Sequence, residues 1–274
     1  MQNISELKVI SASRRIELLG FFPNKIIESL EKKCPSEKVH SLVFWSKDPR
    51  PLLGHDQLKT TLQKYDQIYL HFTISGMGAT YLEPNIPSME TALDLLPNLV
   101  KFLDDPRRIR VRFDPIVHLK LPDGKSYSNL NRFTEVIQTA GRLGIPGVTT
   151  SWMEAYPKVI KRLMKHRIEP VHLSKAQRQK EFDWIVDQSQ RQGMAVHGCC
   201  VNGMPISKCI DGALLTKLHP KQYPASQIKA KGQRALCGCT ESWDIGWYNP
   251  CPGGCLYCYA RPVEFETLKG SCPK

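Results

Sequence analysis

Five cysteines fall within twenty-two residues near the end of the chain, in C-G-C-T-E-S-W-D-I-G-W-Y-N-P-C-P-G-G-C-L-Y-C-Y-A (237–260). Cys251, Cys255 and Cys258 are spaced C-x3-C-x2-C, with Tyr257 directly before the last of them. Three thiolates in a short Gly-rich loop hold three irons of a [4Fe–4S] cluster, because Gly253 and Gly254 let the backbone wrap the cube. The fourth iron then lacks a protein thiolate and is open to an exogenous chelating ligand. The competing chemistry is zinc, for which the Cys255 and Cys258 pair together with Cys237 and Cys239 supplies four thiolates. A second set is also legible. Cys237 and Cys239 form a C-x-C pair, and Cys209 with either Cys199 or Cys200 brings the number to four. Four thiolates close the coordination of an auxiliary cluster or of a structural zinc. Cys34 and Cys272 read as unpaired thiols.

These loops need elements to hold them. Short β-branched segments alternate with longer amphipathic ones. Strands are expected at about 6–13, 41–46, 68–75 and 109–114, with weaker ones at 147–152 and 194–199. Helices are expected at 24–33 after Pro23, at 88–103 from Ser88 with a kink or break at Pro97, at 127–143 and at 179–191. Such alternation predicts an α/β fold of parallel βα units, a full or partial TIM-like barrel. An open doubly wound sheet competes, but no G-x-G-x-x-G follows the first strand. After about residue 200 the periodicity is lost and Gly, Pro and Cys accumulate. The organisation expected is a barrel-like domain over 1–200 and an irregular cysteine-rich segment over 201–274, packed on the barrel mouth.

In parallel barrels the working residues sit where strands end. The first four strands end in Ser11, Ser13, Arg14 and Arg15; in Ser46, Lys47 and Asp48; in His71, Thr73 and Ser75; and in Arg112 and Asp114. Alternation would point His71, Thr73 and Ser75 to one face. Arginines at such a mouth suit carboxylate or phosphate groups. The plainer alternative is a set of ordinary caps, with Asp48 and Asp114 paired to nearby Lys and Arg.

The 274 residues are 41% apolar and 23% charged, an ordinary globular composition. No apolar run approaches the roughly 18 residues of a membrane span, and M-Q-N-I-S-E-L-K-V-I lacks the pattern of a secretory leader. A reducing compartment, the cytoplasm, is therefore expected, with no membrane partner. There, clustered cysteines are metal ligands more often than disulfides, and eight of the ten lie from Cys199 to Cys258. The net charge of +12 and the basic runs at 158–167 and 175–180 fit nucleic acid or an anionic small molecule, or simply two solvated helix faces.

The spacing C-P-G-G-C-L-Y-C resembles that of the radical S-adenosylmethionine (SAM) enzymes. More specifically, the chain resembles a bacterial and archaeal family described as a domain of unknown function, whose C-terminal cysteine cluster is similar to the one radical SAM enzymes carry near their N-terminus. The stretches that carry this are I-S-A-S-R-R (10–15), V-F-W-S-K-D-P (43–49), H-F-T-I-S-G-M-G (71–78), V-R-F-D-P-I (111–116), K-C-I-D (208–211) and the final cysteine-rich run. Where the family follows the arginine pair with Thr-Asp, this chain has Ile16 and Glu17. The resemblance implies SAM chelated on the fourth iron, a 5′-deoxyadenosyl radical acting on a substrate that the family does not name, and a reductant such as ferredoxin or flavodoxin. Arg14, Arg15, Arg112 and Asp114 would then bind SAM or substrate. The alternatives are a non-catalytic or electron-transfer iron–sulfur protein, or a zinc-stabilised basic nucleic-acid binder.

Overall fold

The computed structural model describes residues 7–273. The residues on which the leader reading rests, apart from 7–10, and Glu6 at the expected start of the first strand lie outside that range. From β1 (Lys8–Ala12) the chain passes through α1 (Leu18–Phe21) and α2 (Pro23–Lys33) to β2 (Val39–Ser46), and through α3 (Arg50–Gly54) and α4 (Asp56–Leu62) to β3 (Ile68–Thr73). Helix α5 (Met89–Leu103) leads to β4 (Ile109–Ile116), β5 (His118–Lys120) and β6 (Ser126–Ser128). Then come α6 (Phe133–Arg142), β7 (Gly147–Trp152), α7 (Pro157–Lys165), β8 (Glu169–Pro170), α8 (Lys175–Gln190) and β9 (Ala195–Gly198). The last elements are α9 (Gly212–Leu218) and β10 (Trp243–Asp244).

The main sheet has seven parallel strands in the order β10-β1-β2-β3-β4-β7-β9. All six expected strands lie in it, side by side in chain order. No sheet among the described residues is closed, so the full barrel is not shown, and the fold is mixed α/β around an open parallel sheet. The physical reason lies after β9. There the chain stops producing βα units and lays an irregular segment against one face of the sheet.

The alternation of side chains assigns the two faces. Ile10, Leu42, Phe44, Leu70, Phe72, Val111 and Phe113 pack with Ile26, Leu30, Leu96, Leu99, Val136 and Ile137 of the helices. On the opposite face Val9, Val43, Trp45 and Tyr69 pack instead with Cys209, Ile210, Leu215, Leu218 and Cys239. The second thiol set therefore lies against the sheet itself. A separate apolar cluster joins Leu119, Tyr127, Leu163 and Ile168 to Cys255, Leu256 and Tyr257. The small antiparallel sheet β6-β5-β8 thus forms a floor under the last cysteine loop.

Two helix expectations change. Helix α5 runs unbroken through Pro97; that residue faces solvent, where water satisfies the carbonyl that a proline cannot bond. The helix expected at 127–143 begins only at Phe133. Ser126–Ser128 pair antiparallel with His118–Lys120, and Tyr127 is buried in the floor cluster; tertiary pairing overrides the local helical period. The strand β10 and the small sheet carry no sequence signal strong enough to be expected.

Candidate metal centre

The final loop is held at the carboxyl ends of the strands by residues from several of them. Lys47, just after β2, donates to Glu83 at 2.8 Å and to the Tyr257 hydroxyl at 3.0 Å. Glu83 sits in the loop after β3 with its side chain 1% exposed, and it also accepts from Ser75 at 2.6 Å and from Tyr257. Leu256 N donates to Leu82 O at 3.0 Å. From α7, the buried Arg162 donates to the carbonyls of Leu256 (3.0 Å) and Cys258 (2.9 Å). Burial alone would push the Lys47 ammonium down, but Glu83 and Cys255 raise it net, so the lysine stays charged beside the loop. Its second carboxylate oxygen leaves Glu83 with a buried, unpartnered acceptor.

The three thiols of this loop feel one another's fields: Cys258 and Cys251 both act on Cys255. Burial pushes all three up, Cys255 furthest. Thiols held neutral in this way become thiolates when a cation takes the place of the proton. The turn between them requires glycine. Gly254 has φ +66°, and a Cβ there would stand 2.7 Å from the Phe265 ring; a Cβ at Gly253 would come within 3.5 Å of Cys251 Sγ.

The second set is a chain of thiols. The Cys199 thiol is in hydrogen-bonding range of those of Cys200 and Cys209, and the Cys239 thiol of those of Cys209 and Cys237. Cys209 is held well below the usual thiol range by the bonds from Cys199 and Cys239, and Arg112 Nη1 lies 3.2 Å from its sulfur. The bond from Cys239 brings Cys237 down to about 6, and the bond from Cys199 brings Cys200 down to about 7. Both Cys199 and Cys200 join the set. Among the described residues no group of three or more His, Cys, Asp and Glu side chains stands ready to hold a metal ion; the thiols touch in a line and share no centre. All ten cysteines are free thiols.

The four polar residues expected at the mouth divide into two pairs. Arg112 and Asp114 form an ion pair with each other, and Asp114 also accepts from Ser151. They lie between the thiol sets: the Tyr259 hydroxyl, one residue past Cys258, is pushed up to about 12 by burial, then by Asp114 and Cys258, with Arg112 and Cys199 also in range. Arg14 and Arg15 turn instead toward the strap that carries β10. Arg14 makes only long contacts, 3.4 Å to Gln233 and 3.5 Å to Ser242, and stacks 5.4 Å over Trp45. Arg15 donates to Gly246 O at 3.3 Å and lies over Tyr248.

Other polar residues of the stretches quoted above have structural partners. Asp244 accepts from Ser11 (3.1 Å), Ser13 (2.9 Å) and Gly246 N (2.8 Å), tying the strap to β1. Asp48 pairs with Arg50 and not with Lys47. His71 stacks on Trp45 and bonds Cys209 O at 2.6 Å. Asp211 of K-C-I-D caps α9 through Ala213 N and Leu214 N. Glu17 is half-buried; it accepts from Ser46 Oγ, Lys47 N and Gly20 N, and desolvation pushes its carboxyl up. Glu83 and Arg162 were not expected. A lone acid in the otherwise apolar T-Y-L-E-P-N was the available signal for the first; nothing in sequence separated Arg162 from its basic neighbours.

A family model described as a domain of unknown function, DUF1848, matches residues 9–260. The chain belongs to the DUF1848 family. The match runs from β1 through the last of the loop cysteines and so takes in both thiol sets of this DUF1848 chain. No curated protein matches the chain.

Proposed function

We propose that this DUF1848 protein is an iron–sulfur protein and a radical SAM-like enzyme. The observation that carries the reading is the placement of Cys251, Cys255 and Cys258 over the carboxyl ends of β1, β2 and β3, held by Lys47, Glu83 and Tyr257. These three thiols would hold the cluster. When bound and reduced, a [4Fe–4S] cluster with SAM on its fourth iron supplies a 5′-deoxyadenosyl radical. Glu83 and Lys47 keep the loop and its charge fixed, and Arg162 anchors it to α7. Arg14, bonded only at long range, is free to turn to an anionic group of SAM or substrate; Arg112 and Asp114 carry an ion pair between the two thiol sets. The sequential strand order suits a partial barrel, whose mouth the loop would roof.

The second set, Cys209, Cys237 and Cys239 with Cys199 and Cys200, would take an auxiliary cluster or a zinc after its thiols draw together. The thiol content fits a reducing compartment, the cytoplasm, with ferredoxin or flavodoxin as electron source. No helix among the described residues is long and apolar enough to cross a membrane.

The test is anaerobic purification with iron, sulfide and zinc analysis, followed by incubation with dithionite and SAM. The expected result is brown protein that yields 5′-deoxyadenosine, with Cys255→Ala abolishing the yield. Iron without SAM cleavage favours electron transfer, and stoichiometric zinc alone refutes the cluster.

A further inference from the structure

A cavity of about 310 Å³ opens beyond the end of β7. Met153, Tyr156, Pro157, Pro170 and Val171 line it, together with Arg178 of α8. It shares a wall with the last cysteine loop. Met153 packs on the cluster that contains Cys255, Leu256 and Tyr257. The Tyr156 ring centroid lies 6.4 Å from that of Tyr259, the residue after Cys258.

The lining is mostly apolar and aromatic, with one cation, Arg178, and His172. Tyr156 is 40% exposed and Val171 46%, so an aromatic and an aliphatic side chain both offer surface to a ligand. The Arg178 guanidinium lies 5.8 Å over the Trp152 ring and forms no ion pair among the described residues. The nearest carboxylate along its helix, Glu181, is already occupied by Trp152 Nε1 at 2.7 Å and His118 at 3.0 Å. Lys158 and Lys161 on α7 and Lys175 on α8 are exposed and likewise without ion pairs among the described residues. Glu154 is the one acid in the lining. A flat ring with an attached anion is the chemistry that such a surface recognises.

We infer that this cavity takes one nucleotide unit of the substrate, its base against Tyr156 and its phosphate on Arg178. The volume, near the small end of ligand pockets at ~300 Å³, admits a single base and excludes a stacked duplex, so the unit arrives free or within a single strand. Within a strand, the lysines at the starts of α7 and α8 hold the adjoining phosphates. This inference rests on the radical reading for what is done to the nucleotide; the binding needs no metal.

The test measures binding by the full-length protein of AMP, by calorimetry, and of a fluorescein-labelled single-stranded DNA decamer, by anisotropy across a salt series. Tyr156→Ala should weaken both by about 5- to 150-fold, the range of lost base stacking, and Tyr156→Phe should restore them. Arg178→Ala should weaken both and reduce the decamer's salt slope by about 0.7. The double change Lys158→Ala with Lys175→Ala weakens only the decamer if the source is a strand; equal binding of both probes by this variant marks a free nucleotide. Cys255→Ala should bind both probes like wild type, so failure of the cluster and failure of the cavity are separable. Affinities no tighter than about 1 mM for both probes, Tyr156→Ala and Arg178→Ala binding unchanged, or competitive displacement of AMP by SAM would each overturn the inference.

Discussion

Replacing Glu83 by Gln removes one charge from a pair that is almost entirely out of water. The Lys47 side chain is 17% exposed, the Glu83 side chain 1%, and they meet at 2.8 Å. At an effective dielectric of about 20 that separation corresponds to roughly 6 kcal/mol of attraction. The glutamine oxygen still accepts a hydrogen bond from a charged donor, which returns ~1.5–3 kcal/mol. The expected loss is thus about 3–4 kcal/mol, in the range for breaking a buried pair on one side. Lys47→Met should cost a similar amount, because it strands a carboxylate that only Ser75 and Tyr257 then satisfy. The double variant Glu83→Gln with Lys47→Met should fall well short of the sum of the two singles, with a coupling of at least ~2 kcal/mol. Urea unfolding under anaerobic conditions reads all of these without adding salt. A loss below about 1 kcal/mol for Glu83→Gln, or strict additivity in the cycle, would refute the idea that this pair fixes the loop.

Three further outcomes are expected. Burial and the neighbouring His40 ring, with centroids 4.5 Å apart, hold His219 down to about 4, below its unfolded value near 6.5. The unfolded chain therefore binds more protons between those limits, and stability should fall as pH drops from about 6.5 towards 4; urea midpoints at several pH values should show a shallower fall in His219→Gln. Gly254→Ala forces a side chain into φ +66° and against Phe265, and should cost at least ~1–2 kcal/mol, read by thermal unfolding; an unchanged midpoint would contradict the turn geometry. Arg162→Ala should raise hydrogen exchange at Leu256 and Cys258 and leave β2 protected, because its bonds reach the loop carbonyls and Glu264 and no strand residue; equal exchange in both proteins would deny it the anchoring role.

Five of the six main strands were legible because each carries β-branched or aromatic residues that are largely buried once the sheet forms; β9, with Val196 as its one β-branched residue and Ala195 exposed, was the weakest case. Their order followed from the helices between them. Closure was not legible, since whether a sheet meets itself depends on what fills its second face, and here Cys209, Ile210 and Leu215 do so from a segment with no periodicity. The strand β10 rests on two residues whose side chains give no strand pattern; its register is set by Asp244 gathering Ser11 and Ser13. At the site, cysteine spacing indicated which residues group together. It was silent on Glu83 and Arg162, whose roles come from distance in space and not along the chain.

The pairing of β1 with β10 has a consequence for synthesis. Ser13 and Asp244 bond across 231 positions of sequence, so β1 waits for a segment made 231 residues later before its outer edge is covered. At ~5–20 residues per second this interval is roughly 10–50 s. During that time the sheet can assemble from β1 towards β9, while the edge of β1 stays open to any extended chain nearby. The last cysteine loop emerges after the strand that covers this edge, so its thiols meet a sheet whose strands have all been made.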